Sequence, residues 1–276
     1  MGRRGLLVVC LAGALVLCAV LSVSAQATKH INAGPLRFHA TSGRSEMIIE
    51  AAAATPDLAC SDSQAAGELT PTALLTIEYR GCGAGAQDCA SVGSGLGVVR
   101  TNPLTGALGY LKAPDEVGLD LKPAEGEVML GFGCPKPEKE VSLAGRVKGS
   151  VIGRVAPLNR MSTSFTVALE EVAGKQELER FEGGLSDTLE GEVSREEKPF
   201  EPGTARQIAT ETLSDDPQVV GKRTFRDPVM IKTGGATPVW GRCRRARNAT
   251  YHDANCTMPE SATDPDGKFE FFPIPS

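Results

Sequence analysis

A group of arginine and aromatic side chains near the C-terminus has the residue types best suited to binding a ligand. Its members are Trp240, Arg242, Arg244, Arg245, Arg247 and Tyr251. Arginine binds carboxylates and phosphates through two parallel hydrogen bonds, and aromatic rings can stack on sugars. An anionic cell-wall polymer is the partner that these residue types favour, and an envelope protein is the alternative.

The same arginines also have a structural explanation. Alternate side chains on a β-strand face opposite sides, so Arg242, Arg244 and Arg247 cannot all share one face. A charged edge strand protects a sheet from pairing with other chains. The pattern favours this structural role, and ligand binding is the alternative.

No motif in the sequence is specific for catalysis. A serine hydrolase would place its nucleophile in a Gly-x-Ser-x-Gly turn, and the chain lacks this pattern. Paired carboxylates for glycoside hydrolysis are defined by their distance in space, so Glu78, Asp120 and Glu127 stay candidates. The glycine-rich segment 93–97 resembles a nucleotide-binding loop, but β-type residues follow it where a helix is required. We expect a flexible lead into a strand.

The first residues have the features of a secretory signal peptide. A basic start at Arg3 and Arg4 precedes the apolar run 6–23, and small residues follow at Ala25 and Ala27. This pattern predicts cleavage after Ala25 or Ala27 and an extracellular or wall-associated mature chain without a transmembrane span. An uncleaved signal anchor is the alternative, because the run is about long enough to span a bilayer. Export and a net charge of -5 argue against a nucleic-acid partner.

Disulfides are the predicted role of the cysteines that remain after cleavage. These are Cys60, Cys82, Cys89, Cys134, Cys243 and Cys256. An even number in an exported chain indicates disulfides, although six cysteines allow fifteen pairings. Cys243 and Cys256 flank a predicted hairpin, and Cys82 and Cys89 bracket a flexible glycine-rich stretch. We therefore pair each of these couples, which leaves Cys60 for Cys134.

We expect neither a metal ion nor another cofactor. A zinc site is the competing explanation for the cysteines, and it requires Cys and His ligands clustered at short spacing. The three histidines, His30, His39 and His252, form no such cluster in the sequence.

Short β-favouring runs broken by turn residues occupy the middle of the chain. Between residues 96 and 169 they alternate with Pro, Gly and Asn, which supply the backbone angles of hairpin turns. Residues 165–170 alternate apolar and polar side chains, as in a strand with one face in water. The sequence predicts an all-β fold: an antiparallel sandwich-like or barrel-like domain with a small C-terminal disulfide-braced β-hairpin module.

The predicted organisation has four parts. They are a signal peptide at 1–25, a poorly defined segment at 26–57, a β-rich domain at 58–216 and a small β module at 217–276. The last boundary falls at Asp215-Asp216-Pro217, where turn residues coincide with a change from acidic to basic sequence. Residues 170–180 form the one stretch in which a helix is conceivable, and Gly174 interrupts it.

Several separated strings in the middle of the chain carry a resemblance to a known family. TNPLTGALGYL, EVGLDLKP, GSVIGRVAPLNRMSTSFTV and GKQELERFEGG are similar to strings in a family of uncharacterised, signal-bearing, β-rich proteins of high-GC soil actinobacteria. The likeness covers residues 58–213. It implies secretion and an all-β domain, and it supplies neither an activity nor catalytic residues.

The favoured function is that of a non-enzymatic binding or structural protein, outside the cell or in its envelope. The alternative is a secreted hydrolase that acts on cell-wall polysaccharide. A cleft lined by two carboxylates would favour the hydrolase, whereas a filled core would favour binding or structure.

Signal cleavage gives a direct prediction. N-terminal sequencing of the secreted protein should find Gln26 or Thr28 as the first residue, because the small residues before these positions fit the signal-peptidase site. Protein that retains Met1 in the membrane fraction would contradict cleavage and support the signal anchor.

Overall fold

The computed structural model describes most of the chain from residue 36 onward. It covers residues 36–245, except 53, 71, 137–138, 161, 163, 174, 177–179, 183, 185–188, 197, 216–217, 221–222 and 226–228, and it also covers residues 269–273. Strands are the only regular elements among these residues. No helix in these ranges is therefore long and apolar enough to cross a membrane. The predicted signal peptide lies outside the described residues.

The described residues form twenty-three strands. The first twelve are β1 (Leu36–Ser42), β2 (Ser45–Ala51), β3 (Asp57–Cys60), β4 (Asp62–Leu69), β5 (Ala73–Arg80), β6 (Gly83–Ala84), β7 (Gln87–Asp88), β8 (Val98–Arg100), β9 (Leu104–Lys112), β10 (Glu116–Pro123), β11 (Val128–Lys136) and β12 (Lys139–Lys148). The others are β13 (Val151–Ala156), β14 (Ser164–Leu169), β15 (Glu171–Val172), β16 (Lys175–Gln176), β17 (Glu190–Arg195), β18 (Glu201–Asp215), β19 (Gln218–Val220), β20 (Arg223–Phe225), β21 (Val229–Lys232), β22 (Val239–Arg245) and β23 (Phe269–Pro273).

Eight strands pair in a closed antiparallel order, which we call the first ring. The order is β1, β4, β5, β9, β10, β13, β14 and β18, and β18 pairs again with β1. Alternating side chains point into it. In β5, for example, Ala73, Leu75, Ile77 and Tyr79 are buried, whereas Leu74, Thr76 and Arg80 are exposed. The alternation in sequence thus becomes an apolar interior, and the predicted barrel-like fold is confirmed.

The second ring is built on the other half of β18. Its order is β18, β2, β3, β6 and β7 on one side, and β18, β17, β12 and β11 on the other. An isolated bridge between Ala90 and Gly133 joins the two sides. Residues 201–208 of β18 belong to this ring, and residues 209–215 belong to the first ring.

A buried polar group lies where β18 passes between the rings. The side-chain amide of Gln207 donates to Tyr79 Oη over 2.6 Å. The backbone N–H of Gln207 donates to Gln176 Oε1 over 2.8 Å, and the Gln176 amide donates back to the Gln207 carbonyl oxygen over 3.1 Å. All three side chains are buried, and these hydrogen bonds offset the cost of burying them.

Two disulfides are present, but their pairing differs from the prediction. Cys60 bonds to Cys82 and Cys89 bonds to Cys134, rather than Cys82 to Cys89 and Cys60 to Cys134. Strand register explains the correction. Ala59 lies opposite Gly83, which places Cys60 opposite Cys82. Likewise the bridge of Ala90 with Gly133 places Cys89 opposite Cys134. The predicted Cys243–Cys256 bond lies outside the described residues, because they do not include Cys256.

Two segments contain more strand than the sequence predicted. The N-terminal segment, expected to be poorly defined, supplies β1 and β2, both of which pair with β18. Residues 170–180, where a helix was conceivable, instead contain the short antiparallel pair of β15 with β16. Pairing of β1 and β2 with the distant strand β18 stabilises the first segment, because such tertiary contacts override local propensity. The pair of β15 with β16 is a local hairpin.

The C-terminal strands β21, β22 and β23 form a separate three-stranded sheet that packs on the first ring. Val229 and Ser162 exchange two backbone hydrogen bonds of 2.8 and 2.9 Å. Tyr110 Oη accepts from Gly234 N over 2.9 Å and donates to Gly235 O over 3.2 Å. The buried side chains of Val229, Ile231 and Trp240 belong to the common core. Contacts therefore cross the boundary that the sequence predicted near Asp216.

The disulfide pairing can be tested by mapping peptides from the unreduced protein, which should contain Cys60 linked to Cys82 and Cys89 linked to Cys134. Replacing both cysteines of a pair by serine should lower the free energy of unfolding by about 3 kcal/mol for Cys60–Cys82 and about 4 kcal/mol for Cys89–Cys134, because the second closes a longer loop. Denaturant titration measures both values. A peptide linking Cys82 to Cys89 would contradict this assignment.

Candidate functional site

Trp240, the aromatic centre of the predicted binding group, lies in the core. Its side chain is 3% exposed and packs edge to face on Phe165, with ring centroids 5.2 Å apart and ring planes at 84°. Aromatic pairs favour this geometry. The prediction that Trp240 stacks on a surface ligand is therefore wrong, because the ring is already covered by protein.

The arginines that follow Trp240 lie on a central strand. Arg242, Arg244 and Arg245 belong to β22, which pairs with β21 on one side and β23 on the other. In the register, Arg242 is opposite both Val229 and Phe272. The charged-edge explanation is wrong for Arg242, which is paired on both sides. Among the described residues, Arg244 and Arg245 pair with β23 alone, so for them it stays a prediction. Arg247 and Tyr251 lie outside the described residues.

The three carboxylates proposed for hydrolysis do not come together in a cleft. Glu78 accepts hydrogen bonds from Arg80 over 2.8 Å and from Arg100 over 2.7 Å, and these bonds hold its pKa below the ordinary value. Such a carboxyl stays ionised and is unsuited to donate a proton. Asp120 is buried within β10, whereas Glu127 is exposed in the turn before β11.

The largest described cavity is an open cleft of about 600 Å³ at the mouth of the second ring. Three segments meet there: the hairpin of β6 and β7, the start of β12, and the loop from β17 to β18. The lining residues are Ala84, Gln87, Ser142, Leu143, Arg195, Glu196, Lys198, Pro199 and Glu201. Small-molecule sites have this size and are often found at such mouths.

Hydrogen bonds fix the walls of the cleft. Ser142 Oγ lies 3.0 Å from Gln87 Oε1 and 2.9 Å from the carbonyl oxygen of Cys134, so it links two walls near the second disulfide. Glu196 N donates to Ser142 O over 3.2 Å, and Lys198 N donates to Arg195 O over 3.0 Å. The cleft is therefore largely formed before a ligand enters.

Charged side chains of both signs line this cleft. Arg195 and Lys198 supply two cations, and Glu196 and Glu201 supply two carboxylates. Within the described part of the chain, neither Arg195 nor Lys198 forms an ion pair. In contrast, Arg206 pairs with both Glu50 and Glu171. The cleft thus offers exposed cationic groups to an anion.

Among the described cavities, the one inside the first ring is much smaller. It measures about 20 Å³ and is lined only by apolar residues, among them Ala40, Ala65 and Leu119. This volume corresponds to roughly one water molecule, and an apolar cavity of that size stays dry. The first ring is a filled core.

Comparison with known proteins adds no family or fold assignment. The sequence matches no protein-family model. No curated protein and no solved structure matches it either. Among residues 36–245 and 269–273, no group of three or more His, Cys, Asp or Glu side chains could hold a metal ion. By its fold the chain is an all-β protein of two antiparallel rings that share one strand, with a polar cleft at one mouth.

The sequence interpretation missed Arg195 and Lys198. It gave no function to the segment between β17 and β18, in which Lys198 lies. Arg195 and Lys198 are two of the five basic residues in the acidic stretch 170–216, so the sequence did not single them out. Their proximity to Gln87 and Ser142 comes from the pairing of distant strands, which local sequence does not reveal.

Burial of Trp240 predicts a structural effect. Trp240→Ala should lower the free energy of unfolding by about 3–5 kcal/mol, because it leaves a cavity against Phe165. Val239→Ala is the control, since this neighbour is partly exposed and its loss should cost far less. Denaturant titration compares the two variants, and equal stability of Trp240→Ala and the parent would contradict burial of the ring.

Proposed function

We propose that this chain is a non-enzymatic binding protein of the extracellular space or cell envelope, and that its cleft holds an anionic segment of a cell-wall polymer. The basic start and apolar run of residues 1–27 support export, as does the resemblance to signal-bearing actinobacterial proteins. The two disulfides are compatible with an oxidising compartment.

The observation that carries this proposal is the pair of exposed cations, Arg195 and Lys198, in a preformed cleft. Arg195 can bind a phosphate or carboxylate with two parallel hydrogen bonds, and Lys198 adds a mobile point charge. The cleft is open to solvent, so a longer polymer can extend beyond the segment that it binds. Leu143 and Pro199 supply apolar contact to the uncharged part of that segment.

A secreted hydrolase of wall polysaccharide is the second candidate function. Glu196 and Glu201 both line the cleft, and glycoside hydrolysis requires two carboxyl groups on opposite sides of the bond that breaks. These two residues replace Glu78, Asp120 and Glu127 as the pair to test. A binding protein and a hydrolase would share the cleft and differ in the role of its carboxylates.

Isothermal titration with a glycerol-phosphate oligomer tests the binding proposal. The Arg195→Ala and Lys198→Ala double variant should bind at least tenfold more weakly, because each charge-assisted hydrogen bond contributes about 1.5–3 kcal/mol. Affinity of the parent protein should also fall as salt rises. The matched control is Arg160→Ala with Lys175→Ala, which removes the same charges at exposed positions outside the cleft.

Two results would reject this proposal. If the control variant loses as much affinity as the cleft variant, the oligomer binds through net charge alone. If the protein releases reducing ends from wall polysaccharide, and Glu196→Gln or Glu201→Gln abolishes this release, the cleft belongs to a hydrolase.

A further inference from the structure

A second exposed feature of the second ring lies outside the cleft. Residues 91–97, which we call the aliphatic loop, connect the bridge at Ala90 to β8 and carry two exposed aliphatic side chains. Val92 is 106% exposed and Leu96 is 67% exposed. Water covers both side chains, so they contribute nothing to the core. Such a feature suggests contact with an apolar partner.

The aliphatic loop is held in one shape by its own backbone. Ser91 N donates to Val98 O over 3.0 Å, Ser94 N to Ser91 O over 3.0 Å, and Val98 N to Gly95 O over 3.0 Å. Gly93 and Gly97 supply the positive φ angles that these tight turns require. The segment leads into a strand as predicted, since β8 begins at Val98. Backbone groups paired within the loop also cost less to place in an apolar medium.

Hydrogen bonds join the base of the aliphatic loop to the part of the second ring that contains the disulfides. Cys82 N donates to Gly97 O over 2.9 Å, and Cys82 is bonded to Cys60. Ser91 Oγ lies 2.6 Å from Gly131 O and accepts from Arg100 N over 3.0 Å. A partner would therefore meet Val92 and Leu96 in place, with little loss of conformational freedom on contact.

Basic side chains lie beside the base of the loop. Arg100 ends β8, directly after the loop, and Arg80 lies opposite Val98 in β5. Both guanidinium groups bond to the single carboxylate of Glu78, and Asp62 lies opposite Arg80 in β4, so the base of the loop carries charges of both signs. Their side chains are 45% and 55% exposed for Arg80 and Arg100, respectively. Apolar tips above an exposed base of mixed charge are suited to a surface with polar headgroups above an apolar layer.

We propose that the aliphatic loop inserts Val92 and Leu96 into a lipid surface. The tip is convex, and a deformable lipid layer accepts a convex tip without a matching pocket. Two side chains cover far less than the roughly 800 Å² that each partner buries in a typical protein interface. The same small contact area disfavours a second copy of this chain as the partner of the loop. This inference uses none of the cleft residues, so it stands or falls independently of the proposed polymer binding.

Tryptophan reporters in the full-length chain test this insertion. With vesicles of phosphatidylcholine and phosphatidylglycerol, Val92→Trp should shift its fluorescence to the blue and be quenched at least twofold by brominated lipid. Val172→Trp, at an exposed position on β15, is the matched control and should show neither effect. Leu96→Trp repeats the measurement at the second exposed side chain of the loop. The parent protein gives the background fluorescence of the buried Trp240.

The reporters measure the loop itself, so the apolar run 6–23 cannot imitate its signal. Adding Leu96→Asp to Val92→Trp should restore most of the lost fluorescence. Equal quenching at positions 92 and 172 would show nonspecific adsorption and overturn the proposal. Absence of quenching at both 92 and 96 would also overturn it. A dimer in sedimentation that Val92→Asp with Leu96→Asp dissociates would assign the loop to contact between copies instead.

Discussion

The sharing of β18 between two rings is the constraint on which the rest of this fold depends. One strand of 15 residues pairs with β1 and β14 along one half and with β2 and β17 along the other. A slip of one residue would reverse the inside and outside of both rings at once. Close packing enforces the register: a Cβ at Gly203 would lie 2.1 Å from the carbonyl oxygen of Glu50, so only glycine fits there.

The two rings close in different ways, and this difference accounts for the position of the proposed cleft. The first ring closes through a ladder of five residue pairs between β1 and β18, and its interior is filled. The free edge of β11 in the second ring is held by isolated bridges, Ala90 with Gly133 beside the Cys89–Cys134 bond and Thr101 with Leu130. Isolated bridges supply less backbone pairing than a ladder, and the covalent bond adds to them. The looser closure leaves room for a polar cleft at the mouth.

Local patterns predicted the elements of this fold, whereas contacts between distant residues decided the site. Strands β9 to β14 follow from alternating side chains and from turns rich in Pro and Gly, and the all-β class follows from them. The disulfides could not be paired from spacing, because register with β3 and β11 places Cys60 beside Cys82 and Cys89 beside Cys134. Trp240 has the composition of a surface site, but Phe165, 75 residues earlier in the sequence, covers it.

The two proposed contacts depend on one short segment of chain. Gln87, in a wall of the cleft, and Ser91, at the base of the aliphatic loop, lie on either side of Cys89, whose disulfide fixes both. Because the segment is braced, the loop and the cleft hold a constant orientation relative to each other. A lipid surface that binds Val92 and Leu96 would thereby set the direction in which the cleft faces. Membrane contact would then present Arg195 and Lys198 to a polymer at a defined height above the lipid, without any need for a conformational change.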